Sequence, residues 1–303
     1  MQTFFIFPLS LPCLYHAPVS LSGLIQNLSP QRSFTMRNLL NIVKYTLITL
    51  SCIYSIESTA LPVNGLDLQV VVSGHGDTVM LFESGFGQGP EVWDKLVAQL
   101  PDNVMAVRYA RAGIGRSGER AQTSGIQQHL QDLTALAQRY GQGKRLILVG
   151  HSYGGLLVSE YARHHHANLS GLMLIDPAVM QQRVWFKAVD TKAVATEDAM
   201  LDQMLPPRLQ AQLQQLNSEL DQAGQQVTPL PSDLNTVLLT STRVESDPLA
   251  FVETAEGKVQ WLRLHQALFA DVRNGSHLRL DKLGHNMMQE DAPLVLDALK
   301  TLL

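Results

Sequence analysis

The stretch RLILVGHSYGGLLVSEYA, residues 145–162, constrains the fold more than any other part of the chain. The aliphatic run 146–149 reads as a strand, and the spacing from Leu156 onward is helical. Between the two, Gly150, Ser152 and Gly154 form a GxSxG pattern. With Gly and Ser each near 7% of average composition, a chain of this length shows that pattern by accident roughly one time in ten, so its surroundings have to carry the weight. A strand that turns straight into a helix forces its central residue into strained dihedrals. It leaves no room for side chains two positions to either side, where these glycines stand. The serine hydroxyl is thereby expected at the carboxyl edge of a sheet, beside a helix N-terminus able to stabilise negative charge.

The flanking sequence repeats the same rhythm. After a strand ending near Glu83, residues 90–100 have helical spacing with Pro at the first turn, and NVMAVRYA reads as a strand. GIQQHLQDLTALAQRY then puts Ile126, Leu130, Leu133 and Leu136 on one helical face; LILV, LLVSEYARHHH and LMLID continue the alternation. Short apolar strands separated by helices of this length predict βαβ units and a mainly parallel sheet covered on both faces, so the fold class is α/β. Upstream, LDLQVVVSGHGDTVMLFE is expected to form a hairpin, with residues 74–77 as its turn. After Asp176 the rhythm breaks. Residues 177–234 have no strand signal but carry the Gln-rich helical segment PPRLQAQLQQLNSELDQAG, an insertion expected to act as a helical cap. The sheet resumes at TVLLT, a helix follows through Trp261 and Leu268, HLRL is the last strand and DAPLVLDALKTLL the closing helix.

The chain has 303 residues, 45% of them hydrophobic, and a net charge of −4. Lys and Arg form no block, which argues against nucleic acid or an anionic membrane surface as partner and leaves a small-molecule substrate. Residues 36–60, MRNLLNIVKYTLITLSCIYSIESTA, have basic Arg37 and Lys44, a dozen mostly apolar residues and small Ser58 and Ala60. That is the layout of a secretory signal with cleavage after Ala60, and its apolar run is short for a membrane span. The expectation is an exported protein, periplasmic or secreted, whose natural start is Met36, with residues 1–35 upstream of it or disordered; an uncleaved N-terminal anchor is the alternative. Residues 61–303 then form the mature domain, for which no stable membrane insertion is expected. Both cysteines, Cys13 and Cys52, precede Leu61, so the domain has no disulfide and no thiol chemistry. Three of the 23 basic and one of the 27 acidic residues also lie before Leu61, leaving the domain at −6.

A serine at such a turn needs a base. Of ten histidines, His285 is best placed, in a loop between the last strand and the last helix, on the edge where Ser152 emerges. His151 adjoins the serine but is expected to point elsewhere, and the consecutive His164, His165 and His166 cannot converge on one metal. GIGRSG, residues 113–118, satisfies GxGxxG, yet its helix begins several residues too late and no acidic residue ends a second strand about twenty residues on. No nicotinamide site is expected, and neither metal nor cofactor is required.

Five segments in order resemble the α/β-hydrolase fold family across essentially all of residues 61–303: VMLFESGFGQGPEVW, RYARAGIGRSG, LVGHSYGG, GLMLIDPA and GHNMMQEDAPLVLDAL. The resemblance implies Ser152 as nucleophile, His285 as general base, and the backbone amides of Phe86 and Tyr153 as oxyanion donors. The chain departs from the family's usual pattern at Ser84, where His is common, and at Ala110, where Asp is common. The acid expected is Asp176, with Asp247 and Glu245 as alternatives. The usual arrangement puts it after the strand that follows the cap, which offers Glu245 and Asp247; some members put it where Asp176 stands, at the end of the preceding strand. The activity implied is a carboxylic ester hydrolase, with Met200, Leu201, Met204, Leu205, Met287 and Met288 as either acyl-pocket lining or ordinary packing. Amide or carbon–carbon bond hydrolysis, perhydrolysis, a lyase reaction, or ligand binding without turnover are the alternatives.

Overall fold

Strands with apolar residues on both sides need cover on both sides, and the sheet formed here has it. The computed structural model describes residues 57–303. One sheet contains β1 (Glu57–Val63), β2 (Leu66–Ser73), β3 (Thr78–Glu83), β4 (Val104–Tyr109), β5 (Arg145–His151), β6 (Gly171–Ile175), β7 (Thr236–Ser241) and β8 (Gly275–Leu280). Their spatial order is β1-β2-β4-β3-β5-β6-β7-β8. The β1–β2 and β2–β4 pairings are antiparallel and every other pairing is parallel.

The helices are α1 (Asp94–Val97), α2 (Ile126–Gly141), α3 (Tyr153–His165), α4 (Gln182–Met204), α5 (Pro207–Asp221), α6 (Ala255–Leu268), α7 (Met287–Glu290) and α8 (Ala292–Lys300). Because strand side chains alternate, β5 feeds two cores at once. Leu146 and Leu148 pack with Leu133 and Leu136 of α2 and with Leu156 and Leu157 of α3. Ile147 and Val149 pack on the opposite face with Leu96, Met287, Val295 and Leu299 from α1, α7 and α8.

The hairpin expected across residues 74–77 does not form: β4 lies between β2 and β3. Residues 79–82 of β3 are wholly buried, which suits a central strand flanked by two parallel neighbours and not one arm of a hairpin. The hairpin is instead β1–β2, closed by Asn64 and Gly65 at φ 48° and 78°, the left-handed pair that a tight two-residue turn demands. The leader read at residues 36–60 lies outside the described residues except for its last four, Glu57 to Ala60, which begin β1 and pair with residues 69–72 of β2.

Between β6 and β7 the helical insertion consists of α4 and α5. Asp190 breaks α4 with φ −148° and ψ 91°, and its Oδ1 accepts from Ala193 N at 2.9 Å to restart the helix. The insertion is tied to the sheet-flanking helices: Glu219 of α5 accepts from the amide of Ile126 at 2.8 Å, placing a carboxylate at the positive end of α2, where Gly125 has no side chain to cap it. Among the described residues no helix is long and apolar enough to cross a membrane.

Candidate active site

Ser152 is the single residue between β5 and α3, at φ 51° and ψ −123°. A side chain held there costs about 1–3 kcal/mol and persists only where the surroundings impose it. They do. A β-carbon on Gly154 would lie 2.2 Å from the carbonyl oxygen of Glu83, and one on Gly150 would lie 2.4 Å from Val158 Cγ2. The turn is also pinned to the neighbouring strand: Ser152 N donates to Ile175 O at 3.2 Å, and Ala178 N donates to Ser152 O at 2.8 Å.

Between those two anchors stands Asp176, also left-handed at φ 44° and completely buried. Its Oδ1 accepts from Trp261 Nε1 at 2.7 Å and from Ser241 N at 2.9 Å, and its Oδ2 accepts from His285 Nδ1 at 2.7 Å. Burial alone would raise this carboxyl. The hydrogen bond and charge of His285, with His265 and Lys258 nearby, outweigh burial and hold it at about 2. An ionised Asp176 accepts from Nδ1 and so leaves the lone pair of neutral His285 on Nε2. That side chain is 35% exposed and lines one cavity together with Ser152, of about 380 Å³.

Of the three acids considered from sequence, the structure brings Asp176 to His285. Glu245 is paired instead with Arg243 at 2.7 Å, and Asp247 is exposed on the loop after β7.

His151 lines the same cavity as Ser152 and is bonded to the loop that carries His285. Its Nε2–H donates to the His285 carbonyl at 2.9 Å, and the two rings lie 4.7 Å apart. Burial, then the charge of His285, pulls its pKa to about 3, so it stays neutral. Behind Asp176 a second histidine is fixed in the same way. His265 Nε2–H donates to Pro177 O at 2.7 Å, its Nδ1 accepts from Thr240 Oγ1 at 2.7 Å, and Thr240 accepts in turn from His277 Nε2 at 2.7 Å. Burial lowers both His265 and His277 to about 4.

The loop after β3 lines the same cavity through Gly85, Phe86 and Gln88. Among the described residues, the amides of Phe86 and Tyr153 donate to no protein acceptor, and both residues line the cavity with Ser152. Arg111, 3% exposed, holds this loop from behind: its guanidinium donates to Ser84 O at 2.6 Å, to Gly85 O and to Glu83, and lies 5.0 Å from the Tyr153 ring centroid. Tyr109 donates to the other oxygen of Glu83. Burial raises the Glu83 carboxyl, and Arg111 and Tyr109 oppose the rise.

The cavity wall is apolar at Phe86, Phe186, Val194, Leu216, Leu220 and Trp261, and polar where α4 presents Gln182, Arg183, Glu197 and Asp198. Of the six apolar residues singled out in the sequence, Leu201 lines it; Met204 is 65% exposed, and Met287 and Met288 are buried in the core on the other face of the sheet. Sequence reasoning missed Trp261, His265, Lys258 and Arg111. None stands in a recognisable pattern with the residue it supports: Trp261 meets Asp176 from 85 residues away. Among the described residues no group of three or more His, Cys, Asp and Glu is arranged to hold a metal ion.

A family model described as "Alpha/beta hydrolase family" matches residues 72–298. The uncharacterized protein YqjL of Bacillus subtilis (strain 168) is 30% identical over 106 residues, 35% of this chain and 42% of that protein, so the match spans less than half of the relative's length. Among solved structures, an epoxide hydrolase mutant of Vigna radiata superposes with a TM-score of 0.63 at 15% identity, covering 81% of this chain and 99% of that one. A thermophilic esterase of Thermogutta terrifontis, with malate bound, superposes at 0.50 and 18% identity, covering 80% and 96%.

Proposed function

The chain belongs to the alpha/beta hydrolase family, and on that premise we propose that it is a serine hydrolase of carboxylic esters. The observation that carries the reading is the pairing of His285 with buried, ionised Asp176 at 2.7 Å in the cavity that also holds the strained Ser152. In the mechanism proposed, Nε2 of His285 takes the Ser152 proton as Oγ attacks the carbonyl carbon. Asp176 holds the imidazole tautomer and stabilises the imidazolium that forms. The amides of Phe86 and Tyr153 receive the developing oxyanion at the N-terminus of α3. His285 returns the proton to the leaving alkoxide, then activates water, which releases the acid and restores Ser152.

The hydroxyl nucleophile separates this chemistry from epoxide opening. Attack of Ser152 on an epoxide carbon would leave an alkyl ether that water does not cleave under mild conditions, whereas attack on a carbonyl leaves an ester that turns over. The cavity lies at the small end of the roughly 300–1,000 Å³ range of small-molecule sites, which favours a small or medium substrate. The reading is tested by labelling with a fluorophosphonate probe and by hydrolysis of p-nitrophenyl esters of graded length. Ser152 labels and at least one ester is turned over, both abolished in Ser152→Ala. A fold without turnover would leave Ser152 unlabelled, and inactivity toward every ester despite labelling would move the reading to another bond. Export, to the periplasm or beyond, is part of the proposal and rests on the leader read at residues 36–60; N-terminal sequencing of the natural protein checks it.

A further inference from the structure

The charged groups on the α4 wall differ in how well they are matched. Arg183 is fully engaged: Asp198 takes it through two bonds of 2.8 Å, and Asp221 takes it at 3.0 and 3.4 Å. Lys187 holds Asp221 as well, at 2.7 Å. Glu197, one residue before Asp198, has no cation within hydrogen-bonding distance. Its Oε2 accepts from Phe251 N at 2.8 Å, and among the described residues nothing donates to Oε1. That oxygen is not sealed in protein, although Glu197 itself is mostly enclosed and lines the cavity. Three carboxyls, Glu197, Asp198 and Asp221, thus face two cations. Burial pushes the Glu197 carboxyl up from its ordinary range, with the Phe251 amide and Arg183 pulling the other way and Asp198 and Glu253 adding to the rise. Glu197 thus brings to the cavity wall an acceptor without a protein donor, which a substrate donor can meet in place of solvent.

Resting on the ester-hydrolase reading above, we propose that Glu197 sets substrate class: the enzyme prefers esters that carry a hydrogen-bond donor, a hydroxyl or an ammonium, remote from the scissile carbonyl, and Glu197 Oε1 receives it. The donor reaches the α4 wall while the carbonyl sits at Ser152. Phe186, Val194 and Leu216 of the same cavity offer apolar surface to an aliphatic stretch.

The test uses the full chain and two ester series. One contains the p-nitrophenyl esters of hexanoate, 6-hydroxyhexanoate and 6-aminohexanoate. The other contains hexyl acetate and its 6-hydroxy and 6-amino counterparts, followed by acid release. The readout is the ratio of kcat/KM for the donor-bearing ester to that for the plain one. A bond to a charged acceptor predicts a ratio of about 10 to 100 in at least one series, and the hydroxyl and ammonium arms show which donor is read. Glu197→Gln keeps an oxygen for the Phe251 amide, so its melting temperature reports folding separately, and in this variant the ammonium ratio falls toward one. Glu197→Leu brings both ratios toward one. Plain esters turned over with no donor preference in either series, or a preference that survives both variants, overturns the proposal while leaving the ester reading intact. Failure of every ester, plain and donor-bearing alike, counts against the ester reading itself and against this proposal with it.

Discussion

Replacing Asp176 by Asn changes one oxygen to an NH₂ and little else in shape, which makes it the sharpest probe of the proposed mechanism. Asp176 accepts three hydrogen bonds, and two of them, from Trp261 Nε1 and Ser241 N, converge on Oδ1. An asparagine amide oxygen placed there keeps both, so no buried donor is orphaned on that side. The third acceptor, Oδ2, becomes a donor facing His285 Nδ1. The ring must then present its lone pair at Nδ1 and its hydrogen at Nε2, the wrong tautomer to accept the Ser152 proton, and the imidazolium loses its counter-charge. The expected loss in kcat is about 10⁴-fold, or about 5.5 kcal/mol of transition-state stabilisation. Asp176→Ala would also strand the Trp261 and Ser241 donors, at about 1–3 kcal/mol each in stability, and so confounds catalysis with folding. The assay is therefore steady-state hydrolysis by Asp176→Asn with a thermal melt of the same sample, run beside Glu245→Gln and Asp247→Asn. Near-native turnover in Asp176→Asn, with the loss appearing in either of the other two, would falsify the assignment of the acid.

Other consequences can be measured on the same protein. Arg111→Met releases the Ser84 and Gly85 carbonyls and leaves Glu83 buried without its cation; it is expected to cost about 3–5 kcal/mol in denaturant unfolding and to lower kcat more than it raises KM, and a variant as stable as the parent would refute the clasp. His129, His151 and His265 are buried neutral, drawn down chiefly by burial to about 3, 3 and 4. Their folded values are depressed below the ordinary 6.5, so the stability they contribute is present above about pH 6.5 and is lost as pH falls toward 4. The slope reaches about 1.4 kcal/mol per pH unit for each, about 4 for the three together. A melting temperature flat between pH 7 and 5 would contradict it.

What could be read from the sequence was what depends on neighbours along the chain. The strand-turn-helix around Ser152 declares itself because glycines 150 and 154 are forced by contacts within that turn and with the adjacent strand end. The parallel sheet shows in the unbroken apolar runs of β3, β5 and β6, whose two faces are both buried. The error at residues 74–77 came from reading two adjacent strands as partners when β4, arriving later in the chain, separates them. The Asn64-Gly65 turn that closes the actual hairpin is visible in the sequence, but the first four residues of its first strand, Glu57 to Ala60, fall within the stretch that reads as a leader. Around Asp176 the supports were illegible for a different reason: Trp261, Lys258 and His265 lie on one helix, α6, and their relation to the carboxylate exists only once α6 packs beside β7.

The crossed amide bonds at the ends of β5 and β6 make a single mechanical joint of the turn and the acid. Ser152 reaches across to residue 175 and residue 178 reaches back, with residue 176 clasped between. Solvent hydrogen cannot enter at the amide of 152 or of 178 without the other strand end letting go, so the two should exchange as a pair, at one rate and with one dependence on denaturant.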